Sequence, residues 1–165
     1  MPTLIELHDG IAKTVPDAFT HVGDEDEMAT GDVILSLTRF QADGERLLSE
    51  GRRVGVRLKT DEQVEALAYD LPRLAVVALE FPKHLDGRSY SNARLLRERF
   101  KYGGQIRAVG DILREQAPWM VRVGFDAYEP ADDSSSNEWQ AALKRYRHVY
   151  QRAADDRLPA FAERE

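Results

Sequence analysis

The chain has 165 residues, 42% hydrophobic and 32% charged, with a formal net charge of −6, a length that suits one domain burying about 70% of the surface its unfolded form would expose. No apolar run approaches the ~20 residues a membrane helix needs, and the start MPTLIELHDG lacks the basic and apolar regions of a secretory signal, so a cytoplasmic protein without a membrane partner is expected. Zero cysteines exclude disulfides, a thiolate nucleophile and cysteine-held iron–sulfur or zinc sites within the chain, and none of the four histidines, His8, His21, His84 and His148, stands at i, i+4 from another, so the expectation is no metal and no cofactor.

Residues 2–22 read as extended: Leu4 and Ile5 precede the turn-forming His8-Asp9-Gly10 and Ile11 follows it, which predicts a small hairpin limited by Pro16. Asp24 to Glu27 is an acidic run, a solvated connector. This N-terminal hairpin and connector occupy residues 1–30, ahead of a single α/β domain over 31–154 and a frayed tail over 155–165.

Within that domain strand and helix alternate. Val33, Ile34, Leu35 and Leu37 form a strand run, followed by a helix through Leu47 and Leu48 that stops at Gly51. Val54, Val56 and Leu58 alternate as a strand, and Thr60 with Gln63 reads as a capping box for a helix with the stripe Val64, Leu67, Ala68 and Leu71. Leu74 to Leu79 is a continuous apolar strand ended by Phe81-Pro82. Ser89 is the expected cap of a helix burying Ala93, Leu96 and Phe100 and closed by Gly103-Gly104. Ile106, Ala108 and Val109 make a fourth strand, Asp111 caps a helix that Pro118 bends or restarts, Gly124 ends it, and Phe125 to Tyr128 is a short fifth strand. Trp139, Leu143, Tyr146 and Tyr150 then predict one apolar stripe on a last helix, a core stripe by the ordinary amphipathic pattern.

Such alternation implies an α/β fold of about five consecutive βα units forming a mostly parallel sheet, open or a partial barrel, with an N-terminal β-hairpin. Five strands are too few to close an eight-stranded barrel. Sheet edges and apolar helix faces would need covering, which predicts a homodimer.

Ligands of either architecture approach the carboxyl ends of the strands. Those ends hold Thr38, Arg39, Lys59, Thr60, Glu80, the segment Lys83 to Arg88, Gly110, Asp111 and Glu129. From Phe81 to Arg122 the chain has nine Lys or Arg against four Asp or Glu, a basic island in an acidic protein and hence a candidate anion site. Asp86-Gly87-Arg88-Ser89-Tyr90 leads into a helix start, whose free N–H groups favour an anion; Arg88 either adds a forked guanidinium there or pairs with Asp86 or Asp111. Arg94 and Arg97 share a face, a solvated row or a docking patch. Lys83 and His84 are candidate acid–base groups. No Walker loop, dinucleotide glycine signature or nucleophile elbow occurs, and the acidic chain, whose basic island lacks interleaved aromatics in a strand array, leads to the expectation of no nucleic-acid partner.

FPKHLDGRSYSNARLLRER, GQIRAVGDILREQ and RVGFDAYE, three ordered motifs, resemble the bacterial domain-of-unknown-function family nine-three-four over roughly residues 53–129. The chain departs at His84, where the family tends to an aromatic, and at Val123, where cysteine is frequent. The resemblance implies a setting beside sulfite reductase and other sulfate-assimilation enzymes, with some members carrying an oxidoreductase label. The expected role is an accessory protein of assimilatory sulfite reduction in cysteine biosynthesis, which binds a sulfite reductase component or its electron donor. A small oxyanion would be held by Asp86, Gly87, Arg88, Ser89, Tyr90, Arg94, Arg107 and Asp111. The alternative is a lyase- or isomerase-type enzyme acting on a small anionic substrate, with Arg88 as clamp and Asp111 or Lys83 as acid–base group.

Overall fold

Asp9 and Gly10 both adopt positive φ, 52° and 76°, the conformation a two-residue hairpin turn requires. Thr3–His8 (β1) accordingly folds back on Ile11–Pro16 (β2) in an antiparallel ladder with Ile5 opposite Thr14. The computed structural model describes residues 3–163; the outermost positions of the expected N-terminal segment and of the expected frayed tail lie outside the described residues. Past Pro16 the chain forms a further strand, Phe19–Val22 (β3), where only the end of an extended segment was expected. Four residues with buried ends and polar Thr20 and His21 between them are too short to show a strand period.

The alternation that follows places Asp32–Ser36 (β4), Leu37–Ser49 (α1), Val54–Leu58 (β5), Val76–Phe81 (β6), Arg88–Glu98 (α2), Gln105–Gly110 (β7), Ala117–Val123 (α3), Ala127–Tyr128 (β8) and Ser136–Leu143 (α4). Ser36 caps α1 by accepting the Arg39 N–H at 3.1 Å, and Ser135 with Glu138 forms a capping box on α4. Gly124, at φ 109°, stops α3.

Several local expectations are corrected. Between β5 and β6 no α-helix forms: the chain makes two short 3-10 turns, Val64–Leu67 and Leu71–Arg73. The Lys59 N–H is taken by the Glu62 carboxylate at 2.7 Å, so the turn closes around Glu62 and the Thr60–Gln63 box does not form. Pro72 withdraws a helix donor further on. Val64, Leu67 and Leu71 are still buried, because the apolar spacing serves the core in either helix type. Ser89 does not cap α2: Gly87 precedes the helix, and the Ser89 hydroxyl donates to the Glu80 carbonyl at 2.7 Å. Asp111 does not cap a helix either; it accepts from the His84 N–H and meets His84 Nδ1, both at 3.0 Å. The aromatic stripe breaks at Leu143, where α4 ends, so Trp139 is buried while Tyr146 and Tyr150 are exposed.

The strand order is β2-β1-β8-β7-β6-β5-β4-β3. Neighbours from β3 to β8 are parallel, and β1 runs antiparallel to both β2 and β8. The hydrogen-bonded ladder stays open at β2 and β3, yet the sheet curls strongly. The Phe19 ring on edge strand β3 lies 5.6 Å from the Arg107 guanidinium on β7, and His21 of β3 reaches Glu129, just past β8.

Alternation along the strands divides the core. Val33, Leu35, Val56, Leu58, Val77 and Leu79 join the large cluster under the helices, whereas Phe19, Ile34, Val76, Ala78 and Val109 form a small one inside the curl. Each fully buried Val, Leu or Phe contributes about 1.5–3 kcal/mol, so the helix side carries most of the stability. The inner side is therefore left to polar residues at its carboxyl-terminal end.

Arg97, expected on a solvated helix face, is instead a clamp. Its guanidinium donates to the carbonyls of Tyr102, Gly104 and Gly124 at 2.7, 2.7 and 3.0 Å and to Asp126 at 3.0 Å. Gly124 ends α3 and Tyr102 and Gly104 lie in the loop between α2 and β7, and a planar five-donor head can satisfy several such carbonyls at once.

Candidate functional site

Position parity decides which side chains enter the curl. His21 follows Phe19 by two residues, Ser36 follows Ile34, Arg57 follows Gly55 and Glu80 follows Ala78, so all four project from the inner face at the carboxyl ends of β3 to β6. They open into a cleft of about 300 Å³, which Asp24, Lys59 and Glu62 complete. The curl is tight beneath it: a Cβ on Gly55 would stand 2.9 Å from both the Cβ and the carbonyl oxygen of Val76.

Each charge in the cleft has a different tie. Arg57 Nε donates to Glu80 at 3.2 Å, leaving its terminal nitrogens without a bond among the described residues. Glu62 is held by the Lys59 backbone, while the Lys59 ammonium has no carboxylate partner among the described residues. Ser36 Oγ donates to Asp24, whose carbonyl accepts from Arg39 at 2.9 Å.

Behind the cleft a charged chain runs across the curl. His21 Nε2 lies 2.8 Å from Glu129 Oε1, and Arg107 Nη1 donates to that oxygen at 2.7 Å and to Asp17 at 2.8 Å. Arg107 and Asp17 are almost wholly buried, with side chains 1% and 3% exposed. Gln105 accepts from Arg107 Nε at 3.0 Å, and Asp17 also receives the Phe19 N–H at 3.0 Å. With Nε2 turned to the carboxylate, His21 Nδ1 is an acceptor in the neutral ring and a second donor in the charged one. That Nδ1 is buried and has no hydrogen-bond partner among the described residues.

Burial alone would raise the Glu129 pKa, but the His21 ring and the Arg107 guanidinium outweigh it and hold the group below its ordinary value of 4.5. The depressed value means that the folded state prefers the carboxylate. This stabilisation is complete above pH 4.5 and is lost as the pH falls through the lower folded value. Wild-type protein should therefore lose more stability than Glu129→Gln when urea unfolding is compared at about pH 5 and about pH 3; equal losses would refute the linkage.

Asp17, His21 and Glu129 each bring a ligand atom within 4.8 Å of the others, a metal-like trio. The Arg107 guanidinium already lies between its two carboxylates, so a dication would meet a fixed positive charge at close range. The chemistry of the donor set fits an ion-pair relay better than a metal centre.

The eight residues expected to bind an anion are not gathered in one place. Arg88 is exposed and forked onto Asp86, through Nε at 3.0 Å and Nη2 at 2.6 Å, which holds the Asp86 carboxyl down at about 2. Gly87 opens α2, Ser89 is tied to Glu80, and Tyr90 packs edge-on against Phe81 while its hydroxyl accepts from Gln116 at 3.1 Å. Arg94 pairs with Glu98 on the outer surface. Asp111 is bound to His84, whose backbone N–H and ring lower its pKa. Arg107 lies inside the curl, on the inner face of the sheet. The strand-end reasoning did name Lys59, Glu80 and Glu129, which belong to the cleft and its relay. It missed His21 and Asp17, since β3 has no strand-like pattern, and Arg57, although its alternation with Val56 and Leu58 already placed it on the opposite face.

Among the described residues no helix is long and apolar enough to cross a membrane. A model of a family described as "Bacterial protein of unknown function (DUF934)" matches residues 55–161, a span that includes Arg57, Lys59, Glu80, Arg107 and Glu129 but neither Asp17 nor His21. No curated protein matches the chain.

Proposed function

Because the chain belongs to the bacterial family of unknown function DUF934, which brings no reaction with it, we propose a role from the cleft and the sequence resemblance together. The protein serves assimilatory sulfite reduction as an accessory factor, binding a small oxyanion and a sulfite reductase component or its electron donor. The observation that carries the oxyanion part is one cleft at the carboxyl ends of β3 to β6 holding an ammonium without a carboxylate partner, a guanidinium with free terminal nitrogens and an imidazole. Parallel sheets bind ligands at such ends. Lys59 supplies the point charge and Arg57 the planar donors. Asp24, Glu62 and Glu80 limit the site to a small ligand, since a larger polyanion would meet their carboxylates.

The Asp86–Tyr90 segment is the competing place for the anion, but a ligand there would have to displace Asp86 from Arg88. Calorimetry with sulfite and with phosphate decides between the two. Lys59→Ala and Arg57→Gln should each weaken binding about tenfold or more, the order of one charge-assisted hydrogen bond, and Arg88→Lys should leave it unchanged. Absence of binding heat for both anions with the wild-type protein would end the oxyanion reading; an effect confined to Arg88→Lys would move the site to α2. For the accessory role, sulfite reductase components should co-purify from cells assimilating sulfate, and deletion should impair growth on sulfate. A homodimer covering the open edge at β2 or β3 belongs to the same proposal, and light scattering reads it directly.

A second reading is favoured by the relay. His21 is oriented by Glu129, which Arg107 holds in turn, the arrangement of a positioned general base. In that reading the chain is a lyase- or isomerase-type catalyst on a small anion, with the partly exposed His21 ring as the acid–base group and Arg57 and Lys59 binding the charge.

A further inference from the structure

Six of the nine exposed large hydrophobic side chains among the described residues, Leu113, Trp119, Tyr146, Tyr150, Leu158 and Phe161, come from the last third of the chain. Two of them are in contact: the rings of Trp119 and Tyr146 meet with centroids 5.1 Å apart and planes 32° apart, and both remain open to solvent at 52% and 42%. The Arg145 guanidinium stands 5.8 Å from the Tyr146 ring. The segment that carries Tyr146, residues 144–152, has four Lys or Arg and no Asp or Glu; Glu115 and Glu138 share a hollow with Arg145, and Glu163 another with Arg147. Lys144, Arg145, Arg147 and Arg152 are exposed and have no carboxylate partner among the described residues.

The segment is irregular after α4, yet it is tied down. Arg157 donates to the carbonyls of Tyr146 and Arg147 at 3.2 and 2.6 Å, Val149 is buried and its carbonyl accepts the Ala160 N–H at 2.6 Å, and Asp155 pairs with Arg122 of α3. A basic, aromatic surface is thus presented on a held backbone, which reduces the ordering cost of binding.

We propose that the surface of Trp119, Arg145, Tyr146 and Arg147 docks an acidic protein partner. Trp, Tyr and Arg are the side chains that dominate protein interfaces, and unpaired guanidinium groups match carboxylates in forked geometry. Charge complementarity selects the acidic class: four cations without carboxylate partners among the described residues make a local excess of positive charge in a chain whose net charge is −6, so an acidic partner is drawn to this face and not to the molecule as a whole. A nucleic acid fits less well, because a long polyphosphate is repelled by a chain of net charge −6 and the two rings form one pair instead of successive platforms for bases. None of these residues lines the cleft, so the inference stands whether or not the cleft takes an oxyanion.

Trp139 is fully buried and Trp119 is half exposed, so Trp119 reports on this face by fluorescence. A peptide rich in Glu and Asp with interspersed Phe should perturb Trp119 emission at low salt, with affinity falling as salt rises. Arg145→Glu with Arg147→Glu should weaken the peptide about tenfold or more, and Trp119→Phe should remove the signal while a labelled peptide still binds. Sulfite calorimetry on the same charge-reversal variant should be unchanged, which separates failure of this surface from failure of the cleft. The proposal is overturned if the peptide does not bind, if charge reversal leaves its affinity unaltered, or if a single-stranded oligonucleotide of equal charge binds more tightly.

Discussion

Arg107→Met is expected to destabilise the protein by about 3–5 kcal/mol, the cost of breaking a buried ion pair from one side. Its guanidinium is the cation shared by Asp17 and Glu129 at 2.8 and 2.7 Å, and Asp17 is nearly as buried as the arginine itself. Methionine fills much of the volume but leaves two carboxylates facing each other across the inside of the curl. A single domain is typically stable by only about 5–15 kcal/mol, so this one change removes a large fraction. Urea unfolding at neutral pH measures it, and a loss under about 1 kcal/mol would mean that the triad contributes nothing beyond packing. Adding Asp17→Asn and Glu129→Gln to Arg107→Met should recover part of the loss, because the penalty lies in the stranded charges rather than in the missing arginine.

Gly110→Ala should cost about 2–4 kcal/mol, combining left-handed strain with overpacking. Gly110 ends β7 at φ +94°, and a Cβ there would lie 2.4 Å from the Phe81 carbonyl oxygen, 3.2 Å from its carbon and 3.3 Å from its nitrogen. These are backbone atoms of the adjacent strand, so no side chain can rotate away. The same carbonyl accepts the Asp111 N–H at 2.7 Å, and any shift of β7 would disturb the Asp111–His84 contacts that follow. Gly10→Ala is the control: its φ is +76° but nothing lies within 4 Å of the added carbon, so only the conformational cost of about 1 kcal/mol remains. Melting temperatures of the two variants should differ accordingly; equal shifts would show that the close approach to Phe81 is relieved without cost.

These effects bear on function because both residues support the carboxyl ends of the strands. Loss of Arg107 frees Glu129, and with it the orientation of His21 at the rim of the cleft. Displacement of Gly110 acts on the opposite side, at the loop carrying His84 and the start of α2.

Local chemistry made much of the fold legible. Asp9-Gly10 specifies its hairpin turn because few residues tolerate positive φ. Gly51 and Gly124 mark helix ends by releasing backbone groups within a few residues. Runs such as Val76 to Leu79 read as buried strand because both faces of a covered sheet are apolar. The connection after Leu58 was misread for a reason of the same scale: Glu62 reaches the Lys59 N–H before a Thr60 cap can form, and nothing in the apolar spacing separates an α-helix from consecutive 3-10 turns.

Composition, the hairpin turn, the glycine stops of α1 and α3 and the strand–helix alternation were therefore readable from the amino acids, since each depends on neighbours within about one helical turn, whereas the caps expected at Thr60, Ser89 and Asp111 fail because the groups they needed bond elsewhere. The direction and degree of the curl were not, because they arise from the summed packing of Gly55 against Val76 and of Phe19 against Arg107. That curl alone brings Asp17 and His21 to Arg107 and Glu129, positions some ninety to more than a hundred residues apart in the chain. Charge density along the sequence pointed to the α2 segment, where Arg88 lies beside Asp86. Only the tertiary structure could place the cleft, because an ionic site depends on which charges meet through space and which remain unpaired, and sequence proximity records neither.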